Sequence, residues 1–381
     1  MNFPINDIRE KFNNISFSGY QKSKVKNELL LCLENSKIEN SCYWAAELIC
    51  AGHYIDLWNL IIIYISKNIN LGNPKLPIYL DLRYNYFKDI INTFSQTPLE
   101  LRNNFNIRSL FCEIICILVY SNKKIKTTEI KIPQEDLSEF LNISQKLKAE
   151  DQLNIENFLY SDDPKEIFIP LNEFIFSIKN KNLQDSLYWF EWIMQFENYC
   201  NKNNKFLKAK NRMFAPNGFE RDIIMIIWEI LFNISKEKDN LTEKIVKSLF
   251  NLFCIKYNKS FKKNRRIIIY FALQLIIENY EYEKKIITNK DKIYTIKSNI
   301  NHVYKQIKKN EQSPGTEYLF KDLKGKNTQK SLTKLKILNN YQNSNIVNNN
   351  DQENDEDSQT INENYYENSY NNETNNETNN D

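Results

Sequence analysis

Shifted forward by 145 positions, residues 25–44 ("VKNELLLCLENSKIENSCYW") fall without a gap on residues 170–189 ("PLNEFIFSIKNKNLQDSLYW"). Six of the twenty pairs are identical: Asn27/Asn172, Glu28/Glu173, Asn35/Asn180, Ser41/Ser186, Tyr43/Tyr188 and Trp44/Trp189. Between them apolar character is kept, with Leu29–Leu31 on Phe174–Phe176 and Leu33 on Ile178. After an insertion, "DLWNLIIIYI" at 56–65 is answered by "DIIMIIWEIL" at 222–231. Internal self-similarity constrains a fold more than composition does, because a segment written twice carries its buried face twice.

The spacing within each copy is helical. Val25, Leu29, Leu30 and Leu33 mark a first helix. Asn35-Ser36 breaks it, and a second helix carries Ile38, Ser41, Tyr43, Trp44 and Leu48. Gly52 supplies a stop that accepts positive φ, and Asp56 is placed to cap a third helix whose all-round apolar run implies burial. The expected fold class is all-α, with two related multi-helix units from an internal duplication and a disordered C-terminal tail. Tyr43, Trp44, Tyr188 and Trp189 are expected as structural anchors, since large aromatics bury the most area per residue. The expected division is a first helical unit at 1–122, a charged connector with a short helix at 123–165 and a second unit at 166–312. A basic linear segment at 313–340 and an acidic Asn-rich tail at 341–381 follow.

Charge separates tail from body. Residues 341–381 hold 15 Asn and 10 acidic residues without a Lys or Arg, a composition that cannot offset its ordering entropy by burial. The whole chain carries +3 (51 − 48), so residues 1–340 carry +13 (51 − 38). Such an excess suits an anionic partner or an ordinary solvated surface. The opening "MNFPINDIREKF" is not a secretory leader, and the longest apolar runs fall short of the ~20 residues a bilayer span requires. An intracellular protein without membrane contact is the expectation.

Catalytic chemistry has little foothold. None of the six glycines sits in a phosphate-cradling Gly-x4-Gly-Lys-Ser/Thr loop, and His53 and His302 have no nucleophile or carboxylate fixed beside them by motif. The seven cysteines (32, 42, 50, 112, 116, 200, 254) include Cys112-x3-Cys116 on one helix face, and Cys50 lies near His53. Neither pair has a matching second half, so no metal site is expected and no cofactor is assigned. Asp162-Asp163, before Pro164, reads as a solubilising turn.

Two basic stretches remain. "KNNKFLKAKNRMF" offers Lys202, Lys205, Lys208, Lys210 and Arg212 with Phe206 and Phe214 interleaved. "KYNKSFKKNRR" offers Lys262, Lys263, Arg265 and Arg266 together with Lys256 and Lys259. Lysine and arginine neutralise phosphates and flanking rings stack on bases, so these are the candidate nucleic-acid contacts. Solvated loops between helices are the alternative.

Several segments, "GYQKSKVKNELLLCLENSKIENSCYWAAELICAGHYIDLWNLI", "NLGNPKLPIYL", "DIIMIIWEIL" and "VYKQIKKNEQSPGTEYLF", resemble an uncharacterised family of large nucleocytoplasmic DNA viruses of the mimivirus-like group, over most of residues 18–320. The resemblance implies a viral setting, in the host cytoplasm or viral factory, and no activity. More locally, "NSCYWAAELICAGH" and "LIIIYISKNINLGNP" are similar to the helical region after the ATPase core of clamp-loader-related ATPases. Ser66-Lys67-Asn68-Ile69-Asn70 stands where that family has Ser-Glu-Asp-Ile-Gly, and the likeness implies a helical oligomerisation or collar fold. The resulting expectation is a non-enzymatic helical scaffold or adaptor, with a nucleic-acid-binding accessory protein as the alternative. Protein partner and oligomeric state are not legible.

Overall fold

The structure is a computed structural model. It describes residues 4–312, with short interruptions at 8, 10, 94–96, 125–127, 139–143, 152–154, 156–157 and 282, and residues 333–337, which are helical. The expected tail at 341–381 and nearly all of the linear segment at 313–340 lie outside the described residues.

The chain is all-α: the described residues contain fifteen α-helices and no strand. The first group is α1 (Lys22–Glu34), α2 (Ile38–Cys50), α3 (Tyr54–Tyr64), α4 (Leu76–Thr93), α5 (Pro98–Asn103) and α6 (Phe105–Tyr120). A short α7 (Glu135–Ser138) follows. The second group is α8 (Phe168–Lys179), α9 (Leu183–Lys202), α10 (Ile223–Lys238), α11 (Asn240–Phe253), α12 (Lys259–Asn264) and α13 (Ile267–Ile277). Finally, α14 (Lys290–Asn299) packs on α6 and α15 (Asn301–Lys308) on α2.

The α1–α2 and α8–α9 corners share their geometry at the 145-residue offset. Asn35 and Asn180 end the first helix at φ −85° and −83°, and each side-chain amide donates to the carbonyl four residues back, at 2.9 and 3.0 Å. The next residues, Ser36 and Lys181, take the left-handed φ of 56° and 54° that turns the chain. Ser41 and Ser186 donate to Lys37 O and Asn182 O, both at 2.7 Å. The rings of Tyr43/Trp44 and Tyr188/Trp189 meet edge to face at 5.2 Å in both.

Packing around the corners differs. Trp189 is 2% exposed, but Trp44 is only half-buried, edge-on to Tyr20, and Tyr43 and Tyr188 are half-buried too. The other two fully buried tryptophans, Trp58 and Trp228, lie in the third helices. Trp58 packs on Tyr84, Phe87 and Phe111, and Trp228 on Phe232, Phe250 and Phe253. The third-helix caps also part company. Asp222 caps α10 through Ile224 N, whereas His53 holds the cap position of α3 and Asp56, one turn in, pairs with Lys22 and Lys26 at 3.1 Å.

Helix α13 joins the halves. All its residues but Gln274 are buried, and it packs on α9, α10, α11 and the π-helical turn Ile65–Ile69 that follows α3. Residues of 1–122 and 166–312 thus contribute to one continuous core. The α13 carbonyls left open at its C-terminus are met by Lys238, whose ammonium donates to Leu275 O, Ile276 O and Glu278 O at 2.7–2.9 Å. At the other end of the chain the opening segment folds back on the end of α15. Asp7 accepts Gln312 N at 2.8 Å, Asn6 N donates to Glu311, and Asn103 of α5 brackets Ile5 through both its backbone groups.

Candidate functional site

Between α9 and α10 the chain runs for about twenty residues, 203–222, without an α-helix, and it is held from beneath. Arg212 is 3% exposed. Its guanidinium takes both oxygens of Asp163 at 2.9 Å, Glu229 at 2.8 Å and the carbonyl of Lys210 at 3.0 Å. Asp163 also accepts Lys210 N and Tyr160 N. Burial alone would raise the Asp163 carboxyl, but the Arg212 guanidinium and these N–H donors hold it below the usual carboxylate range. Asp163 is therefore a buried counter-ion and not a solubilising group, while Asp162 is exposed. Two backbone bonds, Ala209 N to Arg221 O and Arg212 N to Glu220 O, tie the two arms of the loop together, and Phe214 meets Phe232 and Phe250.

What the loop turns outward is basic and apolar. Lys202, Lys205, Lys208 and Lys210 are exposed, as are Phe206 (68%) and Met213 (89%). The second basic stretch adjoins it. Phe219 of the loop stacks edge-on against Tyr257 at 4.7 Å, and Asp222 receives Tyr257 Oη at 3.1 Å and Lys262 Nζ at 2.5 Å. Lys262 is also held by both oxygens of Glu197. A cleft of about 200 Å³ lies here, lined by Glu197, Asn201, Asp222, Lys259, Lys263 and Arg266 among others. Burial pushes Glu197 up despite Lys262, and it does the same to Glu191, which takes Arg266 at 2.6 Å and Tyr270.

The nine expected nucleic-acid contacts thus divide. Lys202, Lys205, Lys208, Lys210 and Lys263 are exposed on this face. Lys262 and Arg266 are mostly covered and ion-paired. Arg212 and Arg265 are buried and cannot reach a phosphate. Arg265 donates to Asn59 Oδ1, Phe253 O and Ile255 O, lies 4.3 Å over the Phe261 ring and is lowered to about 10 by burial. Sequence could not separate these, because a buried guanidinium and an exposed one have the same neighbours in the chain.

A second cluster was only partly visible in the sequence, as Cys112-x3-Cys116 without its third member. The Sγ atoms of Cys42, Cys112 and Cys116 all lie within 4.8 Å of one another, and all three thiols are buried. Hydrogen bonds with Cys112 and Cys42 lower the Cys116 thiol, while Cys42 is raised by its own bonds with Cys112 and Cys116 and by burial. Seventy residues separate Cys42 from Cys112, and only the packing of α2 on α6 brings them together. His53, by contrast, holds Ile15 O at 2.8 Å as a structural contact, and burial lowers it.

No protein-family model, curated protein or solved structure matches the chain. Among the described residues no helix is long and apolar enough to cross a membrane.

Proposed function

We propose that the protein is a non-enzymatic helical scaffold whose docking face is the pinned loop 203–222 with the adjoining 256–266 corner. One observation supports this most directly. Ordering a backbone residue costs about 1–2 kcal/mol, and a surface segment of this length without helix is uncommon unless it is used. Here a buried guanidinium, two carboxylates and two backbone bonds order the loop, yet Phe206 and Met213 stand in solvent. Their flanking lysines suit a partner with an acidic rim around an apolar patch. A photocrosslinking residue at Phe206 in tagged full-length protein should capture one partner stoichiometrically, and Phe206→Ser/Met213→Ser should lose it on co-purification. An unchanged partner set in that variant would reject this face.

The second reading, a nucleic-acid-binding accessory role, is supported by the placing of exposed Lys205, Lys208 and Lys210 about exposed Phe206, a stacking ring within a cationic rim. Replacing these lysines and Lys263 by Ala should weaken binding of a labelled single strand and flatten its salt dependence by roughly 0.7 in log–log slope per lost contact. Wild-type protein that leaves the strand free at low salt rejects the nucleic-acid reading alone. The viral, intracellular setting rests on the family resemblance, and the common origin of the two corners on their six identities and shared hydrogen bonds. Fractionation of infected cells tests the former.

A further inference from the structure

We propose that Cys42, Cys112 and Cys116 form a buried three-sulfur site for a soft monovalent metal ion, with Cu(I) the ion that fits. Cys112 and Cys116 stand one turn apart on α6, which puts both thiols on the same side of the helix. Cys42, on α2, closes the triangle from the packed neighbour. All three are free thiols, with exposures of 3%, 4% and 0%.

The ligand set selects the ion. Thiolate sulfur favours soft metals, which sets aside magnesium, calcium and manganese. Zinc in a structural site takes four ligands in a tetrahedron. Among the described residues no His, Asp or Glu donor joins the three sulfurs. The nearest acid along the chain, Glu113, is engaged by Tyr79, Arg83 and Lys297 at 2.5–2.6 Å. The three cysteines are themselves 4% exposed or less, which leaves a water little access as fourth ligand. A three-coordinate ion about 2.3 Å from each sulfur sets sulfur–sulfur separations of about 4 Å. The triangle here, with no side above 4.8 Å, needs only a small contraction to reach that. Each thiol that binds gives up its proton to solvent and no electron changes hands, so loading weakens as pH falls.

The test is anaerobic titration of the reduced full chain with Cu(I) delivered from a bicinchoninate complex. One copper per chain, a near-ultraviolet thiolate-to-copper band and three sulfur scatterers by X-ray absorption are expected. Cys112→Ser and Cys116→Ser should each cut affinity at least about tenfold, because a ligand is lost. Cys50→Ser, which removes another fully buried thiol on α2, should leave it unchanged. Circular dichroism checks that the variants remain helical, but the wild-type protein decides the matter alone. Wild type that takes no copper from the chelator would overturn the proposal. Zinc retained in preference, with a fourth nitrogen or oxygen neighbour, would overturn it as well, and so would a disulfide among the three recovered from thiol-blocked cells.

Discussion

Trp58 and Trp44 are fourteen residues apart and make very different contributions. Trp58 is fully enclosed by Tyr84, Phe87 and Phe111. Its removal leaves a cavity that rings cannot collapse into, so Trp58→Ala should destabilise by about 3–5 kcal/mol, and Trp228→Ala by a similar amount. Trp44→Ala, at a half-buried site, should cost roughly half of that, as burial scales with area removed from water. Denaturant unfolding of the three variants checks the order, and equal losses would contradict it. Of the two tryptophans in the repeated Tyr-Trp signature, Trp189 is buried as expected and Trp44 is only half-buried. Their helical position was readable from spacing, but how much of each indole is covered depends on which elements pack over it, as Tyr20 does edge-on to Trp44. The same limit hid Cys42 from its partners and made Arg212 and Arg265 look like surface charges.

Among the elements, the 203–222 loop is ordered through a buried ion-pair set, with two backbone bonds and the Phe214 contacts beside it. Breaking such a set by removing one partner typically costs about 3–5 kcal/mol, since the other charge is left buried and unpaired. Arg212→Met should therefore raise hydrogen exchange across 205–221 while the α13 amides stay protected. A loop whose protection does not change would show that Phe214 and the two backbone bonds suffice. The same set predicts an acid response. The Asp163 carboxyl lies below its ordinary value of 3.8 in the folded protein, so the stability it contributes is present above that value and lost as pH falls through the folded one. Protection factors for the loop should fall selectively below about pH 4, and in Asp163→Asn that step should be absent. The loop's length and basic character were legible in sequence. Its anchoring was not, because Asp163 and Glu229 come from either side of it in the chain.

At the scale of the whole molecule, α13 makes one core of two helical groups, and the ends of that core are tied together. Asp7 accepts Arg9 and Gln312 N at 2.6–2.8 Å while 6% exposed, and Arg9 and Arg102 both lie over the Phe12 ring. Asp7→Ala should cost about 1–3 kcal/mol by leaving those donors unmet, and should lower the melting temperature by several degrees. Deleting residues 341–381, which raises the net charge from +3 to +13, should leave the melting temperature essentially unchanged. A large fall on that deletion would show that the tail stabilises the body.

The bond between Asp7 and Gln312 spans 305 positions, and this sets a timetable. At the usual 5–20 residues per second, the opening segment leaves the ribosome roughly 15–60 s before the residues that receive it have been made. During that interval Pro4, Asn6 and Asp7 lack the partners that Lys308, Glu311 and Gln312 later give them. Segment 4–7 is thus among the last parts of the body to be completed, and a nascent chain stalled before residue 300 offers a chaperone a segment whose closing hydrogen bonds are still missing.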